Sequence, residues 1–201
     1  MNLTNYFWYF QSAVPSRICD DIAKYGQQMQ DQMAVTGGYG DGKKLNKKQI
    51  KDLKTKRDSN IVWMNDRWIY KEIQPYVHQA NANAGWNFQW DFSESCQFTK
   101  YVGSKKQHYD WHTDSGPRKN ENGKIRKLSM TVALVDGSEY EGGDFEVNLN
   151  EPNKEAIHVI KPARLKGSVT IFPSFVWHRV TPVASGTRYS LVNWHQGWPH
   201  T

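Results

Sequence analysis

Residues 108–114, "HYDWHTD", decide how the second half of this chain is read. As a helix the stretch would place His108 and His112 on one face, the spacing of a helical zinc site. That reading fails, because no Glu lies between the two histidines and the flanks are strand-like on one side and glycine-containing on the other. As a strand it sets side chains two apart on the same face, so His112 and Asp114 reach one ion together while Trp111 and Thr113 point away. His108 has the same parity but lies about 13 Å back along the strand.

Outward from this stretch the period stays at two. "FQWDFSESCQFTKYVG", "KLSMTVALVDG", "GDFEVNLN", "GSVTIFPSF" and "TRYSLVNWHQG" are short runs rich in aromatic and β-branched residues, separated by Gly, Pro, Asn and Asp. Before them the period is helical. Ser16 is placed to cap a helix carrying Ile18, Ile22, Tyr25, Met29 and Met33, and "NDRWIYKEIQPYVHQANANAG" predicts a second helix, bent or interrupted near Pro75 and stopped by Gly85. The fold expected is mainly β with N-terminal helices around a double-stranded β-helix, or jelly-roll, core. A single domain over 1–201 follows from the length, with helical support and a basic loop in 1–90 and the jelly-roll core in 91–201.

Composition narrows the function classes. Nine Trp, ten Tyr and eight Phe fit a β-rich core, and two cysteines without CxxC spacing argue against a disulfide framework or a thiolate metal site. No run is long enough to span a membrane, and "MNLTNYFWYFQSAVPSR" lacks a basic start followed by an apolar region, so a cytoplasmic location is expected. The net charge of +6 is local: "KKLNKKQIKDLKTKR", 43–57, holds eight basic residues and one acid. It offers a patch to nucleic acid or an acidic partner, but no aromatics interleave, and a solvated loop and helix face is the plainer reading.

A His-x-Asp pair alone is weak, since seven His and twelve Asp in 201 residues give about 0.4 such pairs by chance. A second histidine on another strand strengthens it. His178 in "FPSFVWHRV" is that candidate, and His112, Asp114 and His178 would then form the facial triad of a non-haem Fe(II) site with open positions. If a bidentate dicarboxylate occupied two of them, its far end would need a cation, and Arg188 in "TRYSLVNW" lies on the next strand-like run with Ser190 on the same face.

These residues resemble the Fe(II)- and 2-oxoglutarate-dependent dioxygenases, in the prolyl 4-hydroxylase-like branch with the PKHD-type hydroxylases. The resemblance covers about residues 94–197 and rests on "QFTKYVGSKKQHYDWHTD", "RKLSMTVALVDGSEYEGGDFEV" and "GSVTIFPSFVWHRVTPVASGTRYSLVNW" in that order. It implies His112, Asp114 and His178 as iron ligands and Arg188 as the anchor of the distal carboxylate. Tyr101 and Trp194 match positions near the co-substrate, where Ser190 would also lie by its parity with Arg188, and Ser129 and Thr131 are expected to line the same pocket. It also implies Gly142 and Gly143 in a hairpin turn, and a loop at the mouth between Asp114 and Arg126. The implied cofactors are Fe(II), 2-oxoglutarate and O2, with ascorbate allowed for. The implied activity is hydroxylation of a prolyl or other amino-acid side chain in a peptide or protein, giving succinate and CO2. A small metabolite or nucleobase substrate, a non-catalytic jelly-roll binding module and a cupin-like metalloenzyme are the alternatives.

Overall fold

The computed structural model describes residues 5–35, 45–116, 118–149 and 156–199. The glycine-rich stretch 37–42, the first two lysines of the basic run, Pro117 of the mouth loop and His200 lie outside the described residues. The elements follow in chain order as β1 (Trp8–Phe10), α1 (Ser16–Gln28), β2 (Gln32–Met33), α2 (Lys47–Lys56), β3 (Arg57–Asp58), β4 (Asn60–Met64) and α3 (Arg67–Asn83). The strand-rich part continues with β5 (Phe92–Ser93), β6 (Cys96–Val102), β7 (His108–His112), β8 (Ile125–Ala133), β9 (Tyr140–Gly142) and β10 (Phe145–Asn148). It closes with β11 (Ile157–Val159), β12 (Val169–Pro173), β13 (Trp177–Val180) and β14 (Val183–Gly197).

The strands form two antiparallel sheets. The larger runs β1-β12-β8-β14-β6-β4-β2, with β5 and β9 also paired to β14; the smaller runs β11-β10-β13-β7-β3. This is the expected jelly-roll core, although the first 90 residues contribute β1 to β4 as well as helices. Alternation along the large sheet sorts its side chains by face. Phe98, Leu128, Val132, Ile171 and Leu191 join Ile18, Ile22, Ile69, Ile73 and Val77 of α1 and α3 in one apolar core. The intervening residues face the small sheet, where Tyr101, Phe145, Phe172 and Val180 make a second core.

Local details depart from expectation in instructive ways. Ser16 is the first residue of α1 rather than its cap; Pro15 takes the cap position with extended backbone, and no side chain caps the helix. Gly26 in α1 lets the helix press on the sheet, because a Cβ there would come within 2.6 Å of the Phe98 ring. α3 runs through Pro75 without interruption: Ile69, Ile73, Val77 and Ala80 pin one face, while Pro75 is exposed. Gly85 ends that region with φ +73°. Gly142 and Gly143 have the expected positive φ, +67° and +65°, but they do not turn a hairpin. β9 pairs with β14 and β10 pairs with β13, so the two glycines carry the chain from one sheet to the other. No helix among the described residues is long and apolar enough to cross a membrane.

Candidate metal centre and its pocket

The two histidines meet across neighbouring strands. β13 pairs with β7 in a register that sets His178 opposite His112, and an irregularity follows, with Val180 opposite Tyr109. Each imidazole is oriented by its own strand. His112 Nδ1 lies 2.8 Å from the Asp110 carbonyl and His178 Nδ1 lies 2.9 Å from the Val176 carbonyl. Donation from Nδ1 to those carbonyls leaves both Nε2 lone pairs free, the tautomer a metal ligand requires.

Asp114 completes the cluster, though not as an extension of β7. The strand ends at His112, and Asp114 sits in the loop beyond, where its N–H donates to the Ser174 carbonyl at 2.9 Å. Its carboxylate oxygens lie 3.7 Å from His112 Nε2 and 3.5 Å from His178 Nε2. The ligand atoms of all three residues fall within 4.8 Å of one another, and among the described residues they make the one His/Cys/Asp/Glu cluster able to hold a metal. His108 is turned elsewhere, with its ring between the carbonyls of Lys106 and Thr55.

Electrostatics keep the donors in their ligating forms. Burial, with His178 adding to it, lowers the His112 pKa to about 3, so its imidazole is neutral. Burial alone would raise that of Asp114, but the neighbouring histidines, Arg126 and a hydrogen bond from Ser129 outweigh it and hold the carboxyl low, ionised at neutral pH. Arg126 is itself fixed by a bidentate pair with Glu94, at 2.6 Å for each bond, and lies 4.0 Å over the Trp194 ring.

The cluster opens into a pocket on the inner face of the large sheet. Its wall includes Tyr101, Thr131, Phe172, Arg188, Ser190, Val192 and Trp194, with Phe145 and Val180 contributed from across. Arg188 is 3% exposed, donates to Ser190 Oγ at 3.1 Å and stands 5.5 Å over the Tyr101 ring. Among the described residues no carboxylate pairs with it, so the pocket holds a buried cation whose counter-charge the described residues do not supply. Ser129 is the exception among the expected lining residues. It is fully buried, hydrogen-bonded to Ser174 Oγ at 2.9 Å and to Asp114, and so braces a candidate ligand.

Arg57 was hidden by its neighbours in sequence. As the last residue of the lysine-rich run it counts with a solvated face, yet it is 6% exposed and lines the pocket. Its guanidinium donates to Ser59 Oγ and Gln97 Oε1, at 3.1 and 2.6 Å, and covers the Tyr109 ring, which stacks on His112. The available signal was the alternation beginning at Arg57, since Arg57, Ser59 and Ile61 are all buried.

Residues 96–196 match the 2OG-Fe(II) oxygenase superfamily. The chain is similar to a PKHD-type hydroxylase of Synechococcus sp. strain CC9311, 35% identical over 132 residues, covering 63% of this chain and 56% of the relative. Across the first curated relatives it matches, the shared stretch spans 36% to 56% of their lengths. In fold it is similar to a Pseudomonas putida prolyl-4-hydroxylase, with TM-score 0.69 and 18% identity over 96% of this chain and 94% of the other. It is similar in the same way to a prolyl hydroxylase from Trichoplax adhaerens in complex with a hypoxia inducible factor peptide fragment, with TM-score 0.63 and 18% identity over 96% and 84%.

Proposed function

Because the chain belongs to the 2OG-Fe(II) oxygenase superfamily, we propose that it hydroxylates a C–H bond of a prolyl or other amino-acid side chain in a peptide or protein, using Fe(II), 2-oxoglutarate and O2. The observation that carries this reading is the pairing, in one pocket, of a two-histidine, one-carboxylate cluster with the uncompensated cation of Arg188. The donor set suits a divalent iron, and the buried guanidinium suits a carboxylate. Bound together, iron and co-substrate would activate O2, the oxidant: one oxygen atom enters succinate as CO2 leaves 2-oxoglutarate, and the other enters the hydroxyl that replaces hydrogen at an unactivated carbon.

The chain's own part is binding, orientation and exclusion of water. His112, Asp114 and His178 would hold the iron through three donors, at the pocket that would take co-substrate and O2. Arg188, steadied by Ser190 and Tyr101, receives the distal carboxylate, while Thr131 and Trp194 bound the same space. Phe145, Phe172 and Val180 dry the wall behind His178, which strengthens the charge interactions inside. A peptide substrate is supported by the prolyl hydroxylase neighbours, one of which holds a peptide.

The test begins without oxygen. Addition of Fe(II) and 2-oxoglutarate should give the visible charge-transfer absorption of the chelate, and Arg188→Ala should weaken it. With oxygen admitted, proline-containing peptides should stimulate succinate release above the peptide-free rate. Stimulation by free amino acids or nucleosides but by no peptide would overturn the substrate class, and unchanged turnover in Arg188→Ala would remove 2-oxoglutarate from the reaction.

A further inference from the structure

The positive charge of this chain is concentrated in one stretch of sequence, whose described residues lie beside the pocket. Residues 43–57 carry seven net positive charges against six for the whole chain, so the rest is close to neutral. α2 presents Lys47, Lys48, Lys51, Lys54 and Lys56 to solvent and buries Leu53 inward. A capping box of Asn46 and Gln49 fixes its start, with both hydrogen bonds at 2.9 Å. Among the described residues, Lys54 is the one of these lysines in an ion pair, with Asp58 at 3.6 Å, and Asp52 is the one acid on the helix itself. Lys105 and Lys106 extend the surface, because the His108 ring bridges the Lys106 and Thr55 carbonyls at 3.2 Å each.

This surface is continuous with the site. α2 leads directly into Arg57, which lines the pocket, and β3 pairs with β7, the strand that ends in His112. We propose that the α2 surface docks an acidic segment of the polypeptide substrate and holds it beside the pocket, so that specificity comes from charge flanking the hydroxylated residue. The inference rests on the polypeptide-hydroxylase reading above. Charge complementarity favours an anionic partner. The helix exposes no aromatic ring on which a base could stack, as single-stranded nucleic acid binding requires. Its Leu53 turns inward, away from any membrane it might touch with its lysines. Single exposed ammonium groups attract weakly, but several within a screening length act together.

The test uses a fluorescein-labelled peptide with one proline and a run of glutamates, beside a copy with glutamine in their place. Binding is read by anisotropy on the Mn(II)- and 2-oxoglutarate-loaded protein and on K47E/K48E/K51E, whose melting temperature and 2-oxoglutarate affinity should match the parent. The glutamate peptide should bind about tenfold tighter than its glutamine copy. Salt should erase that margin, and the triple variant should lose it and prefer a lysine-run peptide instead. Equal binding of the two peptides, or an undiminished margin in the variant, overturns the proposal. Tighter binding of a labelled oligothymidine, lost in the same variant, replaces it with a nucleic-acid surface. Succinate release on the Fe(II)-loaded protein separates the two readings. Glutamate-dependent binding with no succinate from either peptide sinks the hydroxylase and keeps the surface; equal turnover of both peptides does the reverse.

Discussion

Arg188→Met should do two opposite things at once. The guanidinium is 3% exposed, spends one N–H on Ser190 and has no carboxylate among the described residues. A distal carboxylate would take two charge-assisted hydrogen bonds of about 1.5–3 kcal/mol each, so their removal should weaken 2-oxoglutarate binding by about 3–6 kcal/mol, or about 10²–10⁴-fold. Without co-substrate the same cation is a cost. An apolar side chain of similar length relieves an uncompensated buried charge, which offsets the roughly 1 kcal/mol lost at Ser190 and the Tyr101 ring and leaves a net gain of about 1–2 kcal/mol. At this chain length that is a rise of about 2–8 °C in melting temperature. Titration calorimetry of 2-oxoglutarate into Mn(II)-loaded protein measures the first effect, and a thermal melt without metal or co-substrate measures the second. Unchanged affinity would refute the anchor; a lower melting temperature would refute the claim that the charge lacks a partner.

Three further outcomes follow from the geometry. Asp114→Asn removes the one anionic ligand and should weaken Fe(II) or Mn(II) binding by more than about 100-fold, measured by competition with a chelator, while the far-ultraviolet circular dichroism stays as in the parent. His195 is fully buried, with Nδ1 on Ser93 Oγ at 3.0 Å, and burial lowers its pKa from 6.5 to about 3. The neutral ring is the folded form, so its contribution is complete above pH 6.5 and is lost as pH falls towards 3, by about 1.4 kcal/mol per unit; urea titrations should show that slope shallower in His195→Gln. Gly142→Ala forces an L side chain to φ +67° and its Cβ into the Pro182 carbonyl, and should cost about 1–3 kcal/mol in the same assay.

The sequence made the triad legible because the two signals needed are local: ligand chemistry and strand parity. Parity was nonetheless only half right, since Asp114 reaches the cluster from a loop held by the Ser174 carbonyl, a contact 60 residues distant that no periodicity encodes. Arg188 and Ser190 were readable as a same-face pair, and the structure joins them at 3.1 Å. Ser129 was readable as a residue of the same strand face as Thr131, but its bonds to Asp114 and Ser174 Oγ join segments that parity does not relate. Arg57 was lost to composition, where a lysine-rich neighbourhood outweighed the one residue that begins a strand. The cap at Asn46 and Gln49 was present in the sequence as a side-chain pattern, whereas the cap at Pro15 is a property of the backbone alone.

The fifteen residues of β14 have a consequence for how this scaffold can change. The strand sets Arg188, Ser190, Val192 and Trp194 towards the pocket and Leu191 and His195 towards the buried interior beneath the helices, and both rows depend on one count. A single codon gained or lost between Arg188 and Trp194 would swap the rows beyond it, sending an indole into the helical layer and an imidazole into the cavity. Length variation is therefore barred from this strand, and new specificities are left to arise outside the paired strands, as between β7 and β8.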